Sequence, residues 1–234
     1  MKEKTLIIGK GEVGSSLYEV LTKVYFPVYI KDIEPLEIPE KIKWMHICFP
    51  YSKNFMRLAK AYIKKYKPTY TIIHSTVPVG TTKKLGRNVW HSPIRGVHPN
   101  IALGIQTFDK YIGGRYCNEV IKYLQNAKIP VVYTTKSENT ELGKLLDTTY
   151  YGWNIAFCKE AERICKKYKA DFSVVYSAMN RSYNDGYRRL GKINVIRPVL
   201  SPVNGKIGGH CVIPNCKLLN ESVCNILLNL NKKW

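Results

Sequence analysis

The first apolar run, residues 5–8 (Thr-Leu-Ile-Ile), is too short for a helix and ends in Gly9-Lys10-Gly11-Glu12-Val13-Gly14. Leu17, Val20, Leu21 and Val24 then recur at helical spacing, and a second apolar run at 28–30 closes on Asp32. That succession predicts strand, glycine turn, helix and strand. The rhythm repeats. Residues 44–49 read as a strand ended by Pro50, 54–67 as a helix with Phe55, Leu58, Ala59 and Tyr62 on one face, and 70–74 as the next strand. A loop at 75–82 follows, then short strands at 88–90, 111–113 and 130–133 with a helix at 118–127. Alternation of this kind predicts an α/β fold in which a parallel sheet carries helices on both faces.

The character changes at residue 137. From there to 168 there is no proline, and Leu142, Leu145, Thr149, Trp153, Ala156 and Ile164 keep a helical rhythm through Gly143 and Gly152. One long helix is expected, opening a smaller all-helical domain. The chain therefore divides into a Rossmann-like, doubly wound domain over 1–136 and a helical domain over 137–234. Within the second, 180–191 reads as a loop, Pro198 and Pro202 lead towards Cys211, and a last helix covers 218–230.

The glycine turn carries the first candidate chemistry. Gly9 makes the tight turn, Gly11 leaves room for a pyrophosphate over the helix that Glu12 and Val13 open, and Gly14 lets that helix approach the strand. Asp32 would accept hydrogen bonds from ribose hydroxyls and repel a 2′-phosphate, which favours NAD over NADP. Pro50, Ser75 and Thr76 follow later strands and fall on the same cofactor edge. A glycine turn with no ligand is the plainer alternative.

Charge and cysteine usage narrow the class. Lys+Arg 37 against Asp+Glu 17 gives a net charge of +20, which favours anionic partners. The lysines are scattered, as in Lys64, Lys65 and Lys67 or Lys166, Lys167 and Lys169, and read as solvated helix faces. No nucleic-acid module is present, so a small anionic substrate is expected and nucleic acid is not. The 7 cysteines are odd in number and lie in regular elements, which indicates a reducing, cytoplasmic setting. His210, Cys211 and Cys216 lack the second paired motif of a zinc site, so no metal is expected. No stretch is long and apolar enough for a membrane span, and the N-terminus leads directly into a strand.

Gly208-Gly209-His210-Cys211 places a thiol in a glycine-rich turn where backbone can approach a ligand. Two readings stand: a nucleophile activated by cationic neighbours, or a buried and inert cysteine. Glu141, Lys144 and Thr148 share one face of the long helix. Lys144 taken alone also fits a surface lysine.

Taken in order, Gly9 to Gly14, Ser75-Thr76-Val77-Pro78-Val79-Gly80-Thr81-Thr82, Glu141-Leu142-Gly143-Lys144 leading into Asn154-Ile155-Ala156-Phe157, and Ile207-Gly208-Gly209-His210-Cys211 resemble the UDP-glucose/GDP-mannose 6-dehydrogenase family. The resemblance spans nearly the whole chain. It implies an NAD enzyme that oxidises the primary alcohol of a nucleotide sugar twice through a cysteine-bound intermediate, with a Rossmann domain, a central helical domain forming a homodimer about its long helix, and a nucleotide-sugar domain. Carried over, Cys211 matches the nucleophile, Lys144 the lysine that stabilises the oxyanion, and Thr76 the threonine that positions water.

The departures matter equally. Ile94 in Ser92-Pro93-Ile94-Arg95 stands where the family has glutamate, Thr148 where it has asparagine, and Asn215 where it has aspartate. His98 is a candidate substitute base. The chain is expected to stop where the third domain should begin. Two alternatives follow: a two-electron dehydrogenase acting on a phosphorylated or carboxylated small alcohol, and a non-catalytic NAD-binding scaffold or sensor.

Overall fold

The computed structural model describes residues 3–34, 37–38, 41–96, 99–209 and 211–234. It divides into two compact units, Met1–Lys144 and Leu145–Trp234. The first is built on a seven-stranded sheet in the order β2-β1-β3-β4-β5-β6-β7. Its strands are β1 (Lys4–Ile8), β2 (Val28–Lys31), β3 (Ile42–Ile47), β4 (Tyr70–Ile73), β5 (Val89–His91), β6 (Lys110–Gly113) and β7 (Val131–Thr134). The order reverses at β1, and such a switch point opens a crevice beyond the carboxyl ends of the strands.

The helices cover both faces because their apolar residues recur at three and four. α1 (Glu12–Thr22) buries Leu17, Val20 and Leu21, and these join Ile72, Ile105, Val120 and Leu124 in one core. Val24, expected in the same stripe, lies beyond the end of α1 and is exposed. α2 (Phe55–Tyr66) buries Phe55 and Ala59 in a separate core with Leu6, Met45 and Ile73. Lys67 then ends α2 in the left-handed conformation, its N–H donating to Ile63 O.

Two short helices lie where the sequence pattern gave none: α3 (Thr81–Leu85) and α4 (Ile101–Thr107). α5 (Asn118–Asn126) completes the set. The sheet is parallel except between β5 and β6, which pair antiparallel at His91 and Gly113. The seven residues of α4 span about 10 Å, and the Lys110 ammonium meets the carbonyl of Ser92, the residue after β5. β6 thus runs back alongside the segment that leaves β5.

α6 (Ser137–Tyr168) is the long helix that the apolar rhythm predicts, with those bounds. Its C-terminal part belongs to the second unit, where Gly152 allows close packing: a Cβ there would lie 2.5 Å from Val212 and 2.8 Å from Leu227. Ala156, Ile207, Val212, Cys216, Cys224 and Leu227 form this unit's core.

Two expectations for the second unit are corrected. Residues 180–191 are mostly helix, a π-helical stretch (Ser173–Ala178) running into α7 (Met179–Arg189). The polar residues that suggested a loop are used against backbone: Asn180 donates to Tyr176 O at 2.6 Å, and Asn184 exchanges two hydrogen bonds with the backbone of Arg197. The single last helix is two, α8 (Val212–Leu219) and α9 (Ser222–Asn231), broken where Asn220 turns left-handed at φ 52°.

Candidate active site

The glycine turn follows β1, and its three glycines have three different reasons to be there. Gly9 has φ +101°, and a Cβ on it would lie 2.8 Å from Phe49 N. A Cβ on Gly14 would lie 1.8 Å from Gly9 O. Around Gly11, by contrast, nothing lies within 4 Å of an added Cβ. The turn is therefore tight on the protein side and open on the other, over the N-terminus of α1. That is the cradle a pyrophosphate requires, with Glu12 and the half-buried Val13 beginning the helix.

The other cofactor candidates lie along the same edge. Gly9 N donates to Lys31 O at 2.7 Å, and Asp32 follows β2 exposed to solvent. Cys48 N donates to Ile8 O at 2.8 Å, which carries Phe49 and the exposed Pro50 outward beside the turn. Ser75 is buried, its hydroxyl donating to Phe49 O at 2.6 Å, and Thr76 is half-buried next to it. The unit thus brings Gly9, Gly11, Gly14, Asp32, Pro50, Ser75 and Thr76 to one sheet edge.

Behind that edge runs a buried polar line. His74 Nδ1 donates to Ser92 O at 2.9 Å, which leaves His74 Nε2 to accept from His46 Nδ1 at 2.8 Å. His46 Nε2 in turn accepts from the Tyr123 hydroxyl at 3.0 Å, and Tyr123 shares a 3.2 Å hydrogen bond with Thr5. The tautomers follow from the carbonyl at the head of the line, which can only accept. Burial lowers His46 to about 3 and His74 well below its usual 6.5, so both are neutral. The Lys110 ammonium donates to Ser92 O at 2.9 Å and Pro93 O at 3.3 Å, and burial holds it at about 7.

The first turns of α6 meet the loop after β4. Glu141, fully buried, accepts from Gly80 N at 2.6 Å, Thr82 N at 2.8 Å and the Thr82 hydroxyl at 2.6 Å. His91 Nε2 donates to Ser75 O at 3.1 Å, and its Nδ1 lies 2.8 Å from the Thr140 hydroxyl. Burial lowers His91 to about 3, with the Lys144 charge acting in the same sense, and the Thr140 contact turns this face of α6 towards the end of β5. Sequence reasoning placed Glu141 beside Lys144 without giving it a task, and it passed over His91 and Thr140. The available signal was the spacing of Glu141, three residues before Lys144 on one helical face.

In the second unit Cys211 stands at the N-cap of α8 and is exposed. Among the cysteines it is the exposed one: Cys117 is half-buried and the rest are buried, with Cys48 pushed up to about 12 by burial. Asn215, one turn into α8 and buried, donates to the Thr148 hydroxyl at 3.1 Å. The structure therefore joins the two residues that stand where the resembled family has asparagine and aspartate. Ile94 lies in the sheet core of the first unit. His98 and His210 lie outside the described residues. Among the described residues, a cleft of about 420 Å³ lies beside Arg181, Arg188 and Arg197, and one of about 550 Å³ is lined by Thr82, Lys83, Arg87, Arg115 and Lys136.

No family model matches the chain. The UDP-N-acetyl-D-mannosamine dehydrogenase of Methanocaldococcus jannaschii is 26% identical over 238 residues, covering 90% of this chain and 48% of that protein. The chain is similar in sequence to nucleotide-sugar dehydrogenases. A second such dehydrogenase, from Methanococcus maripaludis, is 27% identical over 150 residues, 60% of this chain and 32% of its own length. The chain thus spans about a third to about a half of the length of these curated dehydrogenases.

Solved structures show the fold. UDP-D-ManNAc dehydrogenase from Pyrococcus horikoshii aligns with a TM-score of 0.81 at 18% identity, covering 98% of this chain and 68% of that one. A 3-hydroxyisobutyrate dehydrogenase from Mycobacterium tuberculosis aligns with a TM-score of 0.72 at 13% identity, over 100% of this chain and 94% of that one. Among the described residues no helix is long and apolar enough to cross a membrane.

Proposed function

We propose that the chain is an NAD-dependent dehydrogenase that oxidises the primary alcohol of a nucleotide sugar, with UDP-N-acetyl-D-mannosamine the first substrate to test. The observation that carries the oxidoreductase reading is the turn at Gly9, Gly11 and Gly14, where two glycines are closed against backbone and the middle one is open. NAD would lie with its pyrophosphate over Gly11 and its ribose hydroxyls on Asp32, and it would supply the hydride acceptor. The curated relatives' names support the sugar class.

The roles of the chain's own groups follow from their chemistry. The Cys211 sulfur, as thiolate, adds to the carbonyl carbon of the aldehyde and forms a thiohemiacetal, its electron pair making the new C–S bond. The Lys144 ammonium steadies the alkoxide that this addition creates. The Thr76 hydroxyl orients water, and the hydrogen-bonded pair Thr148 and Asn215 supplies polar groups without a negative charge. Loss of hydride from that adduct to a second NAD would leave a thioester on Cys211, and no carboxylate at 94 or 215 activates the water that must cleave it, so hydrolysis is slow.

A second reading is favoured by that same pair of substitutions. With Ile94 and Asn215 in place of acids, oxidation stops after two electrons, on a phosphorylated or carboxylated small alcohol. Mixing the protein with NAD and each alcohol class separates the two. The first reading predicts two NADH per nucleotide sugar, with the second lost in Cys211→Ser. NADH from small hydroxy acids alone, unaffected by Cys211→Ser, would replace it with the second.

A homodimer through α6 also belongs to the proposal. Leu142, Leu146, Tyr150, Phe157, Ile164 and Tyr168 are all exposed by 39% or more. At 100° per residue they fall within an arc of about 80°, a stripe that a second copy of the helix would cover.

A further inference from the structure

The loop that carries Thr76 is tied to α6 at both of its ends. At its start, Ser75 O accepts from His91 Nε2 at 3.1 Å, and His91 Nδ1 meets the Thr140 hydroxyl at 2.8 Å. At its end, the Glu141 carboxylate takes the N–H of Gly80 and both the N–H and the hydroxyl of Thr82, at 2.6, 2.8 and 2.6 Å. Every one of these side chains is buried: His91 and Glu141 at 0%, Thr82 at 1%, Thr140 at 4%. Thr76 lies between the two ties, one residue beyond Ser75. Lys144 lies one turn beyond Thr140 on the same helix.

The second tie is chemically unusual. A fully buried carboxylate is costly unless its charge is met by donors. Its donors here all come from the three residues 80–82 at the entrance to α3, a helix whose first N–H groups have no partner within it. Gly80 holds φ +85° with nothing within 4 Å of an added Cβ, so glycine is there for its left-handed backbone, which turns the N–H onto Glu141. Apolar packing holds Val77 in the core between the ties without fixing a direction. Three hydrogen bonds to one carboxylate do fix one.

We infer that Glu141 is a positioning residue: it clamps the Thr76 loop onto α6 and so holds the Thr76 hydroxyl in register with Lys144. His91 and Thr140 form the second point of the clamp. The catalytic consequence rests on the function proposed above. Thr76 comes from the sheet and Lys144 from the helix, and this joint ties those two elements together close to both residues. Misplacing a reacting group by about 1 Å costs on the order of 100-fold in rate.

Glu141→Gln tests the inference with little change in volume. Its amide nitrogen must face Gly80 N–H or the Thr82 donors, so at least one tie becomes a donor against a donor. Thr82→Val removes a single tie, and Thr82→Ser restores it. For each variant, amide exchange at Gly80 and Thr82, NAD affinity, KM and kcat are compared with the parent protein.

The inference predicts exchange about 10-fold faster at both amides in Glu141→Gln, NAD affinity within about 2-fold, and kcat lower by 10-fold to 100-fold with KM little changed. Thr82→Val is expected to show a smaller effect of the same kind that Thr82→Ser reverses. Unchanged exchange in a folded Glu141→Gln overturns the clamp. Faster exchange with unchanged kcat overturns the positioning role. If Glu141→Gln does not fold, Thr82→Val and its serine rescue decide by the same two readings. A parent protein that oxidises none of the alcohols counts against the proposed function, while the exchange comparison still decides the clamp.

Discussion

Gly11 and Gly14 separate folding from binding at single residues. Gly14→Ala would push a Cβ to 1.8 Å from a backbone oxygen that cannot move aside, and a loss of 3 kcal/mol or more, in the order of magnitude of backbone strain and overpacking, is expected on urea unfolding. Gly11→Val meets nothing, and its backbone at φ −68° suits any residue, so its melting temperature should match the parent while NAD affinity falls. Equal stability for both variants would refute the packing argument. Cys211 offers a second test. As the exposed cysteine it should take up iodoacetamide before the six others, and Cys48, buried and pushed up to about 12, should be among the last. The glycines and Cys211 were legible in the sequence because their reasons are local: a turn, an open side, a helix start. Glu141 was not, because its partners lie 59 and 61 residues away and only the fold brings them together.

Among the elements, α6 was the most legible, since thirty-two residues without proline and with a sustained apolar rhythm leave few alternatives. The short helices α3 and α4 were hidden for the opposite reason. Five and seven residues hold too few turns to show a period. Residues 180–191 misled because Asn, Ser, Asp and Gly read as loop formers, whereas Asn180 and Asn184 spend their amides on the backbone of Tyr176 and Arg197. The break at Asn220 was equally invisible, as a left-handed asparagine leaves little trace in composition. The exposed stripe on α6 yields a prediction at this scale. If the proposed dimer forms, the double variant Tyr150→Asp and Phe157→Asp should sediment as a monomer under conditions where the parent sediments as a dimer, because it places two charges in the middle of the exposed apolar stripe. A parent protein that is itself monomeric at micromolar concentration would remove the dimer from the account.

At the scale of the whole molecule, the doubly wound sheet and its cofactor edge were legible from alternation, while the reversal of β6 was not, because an apolar run carries no strand direction. The buried polar line gives the fold a definite pH response. His46 and His91 are held at about 3, and His74 well below 6.5, so the unfolded chain takes up protons that the native state refuses. Stability should therefore be full above pH 6.5 and fall with acid towards pH 3, by about 1.4 kcal/mol per pH unit for each histidine. Lys110 acts higher on the scale. Held at about 7 against its usual 10.5, it releases its proton in the native state first, so stability should climb between those values, and Lys110→Met should flatten the climb in pH-dependent urea unfolding. The central claim, an NAD-dependent oxidation completed on Cys211, is tested most directly by the intact mass of the protein after one turnover with NAD and UDP-N-acetyl-D-mannosamine. The account predicts NADH together with an acyl adduct on Cys211 that persists because residues 94 and 215 carry no acid. NADH formed with no adduct, and at the same rate in Cys211→Ser, would contradict it.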